Sequence, residues 1–274
     1  MEKPLRLEPM SDDIFRIATE NLDVGKIATF RRDRSGRALT LQFQNMEFKR
    51  ISTGGEGGAT FKIVPLRNVN ELRKEALAAQ PPFEKGEFLR ASLVEITKLD
   101  STIKLDIRYA STNNFMSEVF YPEARAFMQR PAAEAVVRAH RSLKRLGYGL
   151  LIHDAYRPWY VTKMFWEATP QDKRDFVADP SKGSRHNRGC AVDITLYELA
   201  TGKVVEMSGG YDEFSERSFP TYPGGTSLQR WHRELLRVAM EEQGFNVYEW
   251  EWWHFDYKDW ERYSIQNITF QQIR

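Results

Sequence analysis

Apolar residues recur at helical spacing most clearly at Ala135, Val136, Ala139, Leu143 and Leu146, with Pro131 just before the stripe and Gly147 just after it. Proline fits the first turn of a helix and glycine its end, so a helix is predicted over 132–146. A second stripe, Leu228, Trp231, Leu235, Val238 and Ala239, follows Ser227 as the expected N-cap and stops at Gly244. Shorter helices are predicted over Tyr160–Ala168, over Glu71–Ala79 (opened by Asn70, stopped by Pro81-Pro82) and over Ser11–Glu20, where Asp12 and Asp13 would lie in the first turn. Alternating or β-rich runs predict strands at Ala28–Arg32, Leu39–Gln44, Glu47–Ile51 and Thr60–Val64, with turns at Ser35-Gly36 and Gln44-Asn45. Further strands are predicted at Leu93–Thr97, Ile103–Tyr109, Gly149–His153, Ile194–Tyr197, Lys203–Met207 and Asn246–Tyr257.

Strands and helices do not alternate as βαβ units. The fold class is therefore α+β: a mixed or antiparallel sheet with helices, preceded by a small β-rich N-terminal module. The expected division is an accessory module over 1–87 and a second domain over 88–274. Nothing in charge or motif marks a function for the module, and a structural cap or spacer is its simplest reading. The glycine-rich run Gly54–Gly58 lacks the Lys-Ser/Thr of a phosphate cradle. The polar stretch from Ser208 to Gly225 is a long loop, and long loops in compact domains are often functional.

Composition narrows the possibilities. The chain has 274 residues, 41% hydrophobic and 13% aromatic, enough for a real core. Its 40 basic and 38 acidic residues are well mixed, so there is no electrostatic case for a nucleic-acid or anionic-membrane partner. No apolar run approaches the roughly 18 residues of a membrane span, and the first residues have no apolar leader core. The expected compartment is the cytoplasm, or outside it if a leader has been removed. Oligomeric state is not legible. Cys190 is the only cysteine, which rules out an internal disulfide and a cysteine-rich metal site. Its simplest role is a small packed residue. Any metal must rest on carboxylates and on the five histidines.

Two stretches carry candidate chemistry: Ser184–Asp193, containing His186, and Glu251-Trp252-Trp253-His254. They offer two imidazoles and a carboxylate suited to a metal, with a further carboxylate to spare. His186 and Asp193 do not share a helix face. A turn at Gly189 would put His186 on a loop and Asp193 on the entering strand. Glu251 and His254 would point to opposite faces of an ideal strand, so both reach one site only if the chain bulges or turns at Trp252-Trp253. Glu249 competes with Glu251 for the spare carboxylate, and Glu251 is preferred as the nearer to His254. The bland readings are a core strand for the aromatic run 248–255 and a surface ion pair for Asp154 and Arg157.

Together these stretches resemble the D-alanyl-D-alanine dipeptidase family, the VanX-like zinc peptidases, relatives of the zinc D,D-carboxypeptidases and the hedgehog domain. The pattern Ser-x-His-x-x-Gly-x-Ala-x-Asp is met by Ser184, His186, Gly189, Ala191 and Asp193, and Glu-x-x-His by Glu251 and His254. Tyr156-Arg157-Pro158, an upstream element with Asp106, Tyr109, Ala110, Asn114 and Phe115, and the run Tyr211–Ser218 (Tyr in place of Phe at 211) follow the pattern too. The resemblance spans about 90–262 and does not reach the N-terminal module. It implies one Zn2+ per chain on His186, Asp193 and His254, with Glu251 as general base and Arg157 stabilising the oxyanion. It implies a small D,D-dipeptide as substrate, its ammonium on Asp212 and further hydrogen bonds from Ser184 and Tyr109. Asp154 is a candidate to orient His254 or Arg157. A zinc D,D-carboxypeptidase or endopeptidase, or a non-catalytic zinc-binding module of the same fold, are the alternatives.

Overall fold

A computed structural model describes residues 7–18, 23–34, 36, 38–49, 62–213 and 215–273. The chain divides into two compact units, Met1–Gly54 and Gly55–Arg274. The boundary therefore lies well before residue 87.

The smaller unit is a meander of five antiparallel strands: β1 (Leu7–Pro9), β2 (Ile14–Ile17), β3 (Ile27–Arg32), β4 (Ala38–Phe43) and β5 (Met46–Lys49), hydrogen-bonded in chain order. The helix expected over Ser11–Glu20 is not formed. Its described part holds β2, whose Ile14, Phe15 and Arg16 pair with Thr29, Ala28 and Ile27 of β3, so sheet pairing overrides the local capping signal. Phe43 pairs with Met46, which makes Gln44-Asn45 the two-residue hairpin turn. Gly36 has the positive φ of a turn glycine, while Ser35 and Gly54–Gly58 lie outside the described residues. Of the expected strand Thr60–Val64, the described residues 62–64 are irregular.

The larger unit opens with helix α1 (Val69–Ala78), whose N-cap Asn68 accepts the backbone N–H groups of Asn70 and Glu71. Strand β6 (Leu93–Glu95) runs straight into one helical turn, α2 (Ile96–Leu99), which shortens the strand expected to Thr97. Strand β7 is the short Lys104–Leu105, and β8 (Phe127–Gln129) pairs with β6. Helix α3 (Arg130–Lys144), strand β9 (Tyr148–Asp154) and helix α4 (Trp159–Ala168) follow, then β10 (Ala191–Glu198), helix α5 (Ser227–Glu241) and the hairpin β11 (Phe245–Tyr248) and β12 (Glu251–Tyr257). The main sheet has the order β11-β12-β10-β9-β7, antiparallel except for the parallel β7–β9 pair. No helix of the described residues is long and apolar enough to cross a membrane.

Helices α3 and α5 pack on each other and on this sheet, and α1 packs on α4. Segment 62–87 belongs to this unit for physical reasons. Ile63 donates to the Phe115 carbonyl, Leu72 and Ala76 of α1 are buried, and Glu84 accepts from Arg188 and from the Ile265 backbone N–H.

Helix α5 corrects the predicted stripe. Its covered side is His232, Leu236, Ala239 and Met240, whereas Leu228, Trp231 and Val238 are 60%, 49% and 41% exposed. The inward polar positions find partners on one side: Tyr148 Oη lies 3.1 Å from His232 Nε2, and Arg233 donates to Ser208 Oγ. The helix starts one residue earlier than expected, with Thr226 and Gln229 forming a capping box. The long strand expected over Asn246–Tyr257 is two strands with a turn at Glu249-Trp250.

Candidate metal and active site

Three adjacent strands bring the chemistry together. Asp193 of β10 pairs with His254 of β12 on one side and with Asp154 of β9 on the other, so the three stand in one row across the sheet. Between β9 and β10 the register slips: Asp193 faces Asp154, but the next residue, Ile194, faces Ile152. His153 is the extra residue. Such a bulge turns a side chain to the other face, as β9 requires if Asp154 is to stand beside Asp193.

Glu251 reaches the same place through a second irregularity. Val247 faces Phe255 while Tyr248 faces Glu251, so Trp252, Trp253 and His254 have no partner on β11. The chain bends there, and Glu251 Oε2 lies 3.7 Å from His254 Nδ1. Glu249 sits in the turn, exposed, and its carboxylate takes the Trp250 indole N–H.

His186 arrives on a short 3-10 turn, His186–Arg188, closed by Gly189 in the left-handed conformation. Gly189 has φ of 69°, and a Cβ there would lie 2.6 Å from Leu93 Cδ2, so both backbone and space demand glycine. Asn187 fastens this turn to the next segment: its amide donates to the Arg157 carbonyl and to Thr162 Oγ1, and the Arg157 N–H donates to the His186 carbonyl. Ser184 Oγ accepts the His186 N–H. Cys190 is packed, and burial pushes its thiol up to about 12, out of reach of chemistry at neutral pH.

Three ligand atoms converge. His186 Nε2 and His254 Nδ1 are 3.2 Å apart, and Asp193 Oδ1 lies 3.4 Å from the first and 3.0 Å from the second. Bonds of about 2.0–2.1 Å at tetrahedral angles put donor atoms about 3.3–3.4 Å apart, close to the 3.0–3.4 Å found here. The outer nitrogens fix the tautomers. His186 Nδ1 is 2.7 Å from the Ala155 carbonyl, and His254 Nε2 is 2.9 Å from Asp256 Oδ1. With those outer N–H groups donating, the inward nitrogens are lone pairs facing each other. Asp193 Oδ1 is buried and receives no hydrogen bond. Two lone pairs and an unsatisfied carboxylate oxygen in so small a space call for a cation, and the group fits a divalent metal.

The electrostatics agree. Burial works against a charge on Asp193, yet the two histidines hold its carboxyl well below the usual range. Burial also opposes a charged His254, but Asp256 and Asp193 outweigh it and raise its affinity for a proton. A metal competes for that same position. Glu251 and Asp212 are raised, chiefly by burial and then by neighbouring carboxylates, Asp193 among them.

The surrounding cavity has a volume of about 470 Å3, and its walls include Tyr109, Arg157, Ser184, Asp212 and Glu251. Arg157 donates through Nε and Nη2 to Asp154 Oδ2, at 3.0 and 2.7 Å, so Nη1 is the nitrogen that Asp154 leaves uncommitted. This pair is buried and not on the surface. Burial would strip Arg157 of its charge, but Asp154 more than restores it. Asp154 thus orients Arg157, and its other oxygen accepts from Tyr121 and the Ala155 N–H. The outer partner of His254 is Asp256, not Asp154. Asp212 is buried with φ of 54° and accepts from the Tyr109 hydroxyl at 3.1 Å. Tyr211 donates to Asp193 Oδ2 at 3.0 Å.

Sequence reasoning missed Asp256, Tyr121, Asn187 and the role of Tyr211. Only Asp256 had a usable signal, since a residue two beyond His254 in a strand shares its face.

The profile of a family described as D-ala-D-ala dipeptidase matches residues 90–273. A D-alanyl-D-alanine dipeptidase of Escherichia coli is 32% identical over 164 residues, 60% of this chain and 83% of that protein. One from Enterococcus faecalis is 33% identical over 174 residues, 56% of this chain and 85% of its own length. A third, from Streptomyces coelicolor, is 32% identical and covers 60% of this chain and 90% of its own.

Proposed function

This chain belongs to the D-Ala-D-Ala dipeptidase family, and from that premise we propose that it is a zinc-dependent dipeptidase that hydrolyses D-Ala-D-Ala. The observation that carries the reading is the convergence of His186 Nε2, His254 Nδ1 and Asp193 Oδ1 in a buried cavity that also holds Glu251, Arg157 and Asp212.

Charge counting supports a cationic metal and a cationic substrate together. Asp154 is neutralised by Arg157 and Asp256 meets Arg185. Ionised Asp193, Asp212 and Glu251 then leave three negative charges in a buried site. A divalent metal and a substrate ammonium would be local counter-charges for them, and burying charge without such partners is costly.

His186, Asp193 and His254 would hold the zinc. Bound there, zinc supplies Lewis acidity and acidifies a water molecule. Glu251 removes the proton from the attacking water and returns it to the departing amine, a role suited to a carboxylate whose pKa burial has raised. Arg157, locked by Asp154, presents Nη1 to the oxygen that gains charge as the carbonyl becomes tetrahedral. Asp212, steadied by Tyr109, receives the ammonium of the free dipeptide. Ser184, whose oxygen accepts the His186 N–H, keeps its own proton for the substrate.

The test is turnover of D-Ala-D-Ala against N-acetyl-D-Ala-D-Ala, with and without chelator. Free dipeptide is expected to be cut, chelation to abolish cleavage, and the acetylated form to be disfavoured by at least about a hundredfold, because it leaves Asp212 buried without its cation. Equal cleavage of both would establish a carboxypeptidase instead. Binding without cleavage of any D,D-peptide would establish a non-catalytic module.

A further inference from the structure

We infer that Tyr211 is a positioning residue for the metal centre: its hydroxyl holds Asp193 so that Oδ1 alone faces the two histidines. The inference rests on the metal-centre reading above. The two oxygens of Asp193 live in different surroundings. Oδ1 lies against His186 Nε2 and His254 Nδ1 and receives no hydrogen bond, whereas Oδ2 takes the Tyr211 hydroxyl at 3.0 Å.

The phenol ring is itself fixed. His153 stacks on it at 4.5 Å between centroids with 28° between planes, and Trp253 meets it edge-on at 5.6 Å. The Arg108 guanidinium carbon stands 5.8 Å from its centre. His153 is the residue extruded by the bulge opposite Asp193, so the irregularity that aligns Asp154 with Asp193 also supplies the plate under Tyr211.

Proton supply distinguishes Tyr211 from its neighbour. The Tyr109 and Tyr211 oxygens are 3.2 Å apart, and each phenol has one proton to give. Carboxylates are the stronger acceptors, so Tyr109 gives its proton to Asp212 and Tyr211 gives its own to Asp193. A hydrogen bond on Oδ2 fixes the carboxylate plane and disfavours grip through both oxygens. Outer hydrogen bonds of this kind are worth about 10–100-fold in metal affinity.

The experiment compares full-length wild type, Tyr211→Phe and Tyr109→Phe. Zinc affinity is measured by chelator competition, and the cobalt-substituted proteins are compared by their visible absorption. Tyr211→Phe is expected to weaken zinc by about 10–100-fold and to shift the cobalt bands. Tyr109→Phe, which deletes a buried hydroxyl from the same cluster, is expected to leave both unchanged. Equal zinc affinity and superimposable cobalt spectra in wild type and Tyr211→Phe would overturn the inference alone. Absence of metal uptake by wild type would overturn it together with the metal-centre reading. Should Tyr211→Phe fail to fold, 3-fluorotyrosine at position 211 keeps the shape and changes the acidity of the hydroxyl. A shifted cobalt band then supports the inference, and an unchanged one contradicts it.

Discussion

Replacing Asp154 by asparagine tests whether the buried Arg157 depends on one carboxylate. Asp154 is 0% exposed and accepts four hydrogen bonds: Tyr121 Oη at 2.6 Å and the Ala155 N–H at 2.9 Å on Oδ1, Arg157 Nε at 3.0 Å and Nη2 at 2.7 Å on Oδ2. An asparagine has the same shape but one acceptor oxygen and one donor nitrogen. With its nitrogen toward Arg157, two guanidinium N–H groups face a donor. With its nitrogen toward Tyr121, the phenol can turn and accept, but the Ala155 N–H is orphaned, at about 1–3 kcal/mol. In either orientation Arg157 loses its counter-charge in a buried place, and breaking a buried pair from one side costs about 3–5 kcal/mol. Urea unfolding of Asp154→Asn is therefore expected to show a loss of about 3–5 kcal/mol. Turnover of D-Ala-D-Ala should fall about 10²–10³-fold, as when a preorganised oxyanion donor is lost. Stability within about 1 kcal/mol of wild type would refute the reasoning, since a surface pair is worth no more than that.

Other expectations follow from the same geometry. Gly189→Ala should destabilise the protein by about 1–3 kcal/mol in urea titrations, because φ of 69° is strained for alanine and its Cβ would strike Leu93. Asp256→Asn should weaken zinc about 10–100-fold by chelator competition, because a neutral amide oxygen replaces the charged acceptor on His254 Nε2. Glu249→Ala should keep wild-type kcat/KM, since that carboxylate is exposed in the hairpin turn and outside the cavity.

Much of the larger unit could be read from local pattern. Helix α3 follows from its stripe with Pro131 in the first turn, although it stops at Lys144 and leaves Leu146 exposed, and β9 follows from its apolar run. Where pattern failed, tertiary pairing had decided. β2 is a strand because β3 is beside it, and α5 turns His232 and Arg233 inward because Tyr148 and Ser208 wait for them. The aromatic run near residue 250 hid a hairpin, since its tight turn at Glu249-Trp250 contains no Gly, Pro or Asn.

The candidate site was legible as residue types and as a geometric demand that the chain turn at Gly189 and bend at Trp252-Trp253. Both features are present. What supports the site was not legible. The bulge that extrudes His153 depends on register, and the bond from Tyr211 to Asp193 joins residues 18 apart, neither of which spacing encodes. The Tyr at 211 was visible as a departure from the family pattern, but the partner of its hydroxyl was not.

The most direct measurement of the central claim is zinc content and D-Ala-D-Ala turnover in wild type and Glu251→Gln, determined on the same preparations. The account predicts about one zinc per chain in both proteins, as a single three-ligand site requires. It predicts turnover lower by about 10²–10⁴-fold in the variant, as befits loss of a general base. Wild type without zinc, or Glu251→Gln with near-normal turnover, would contradict it.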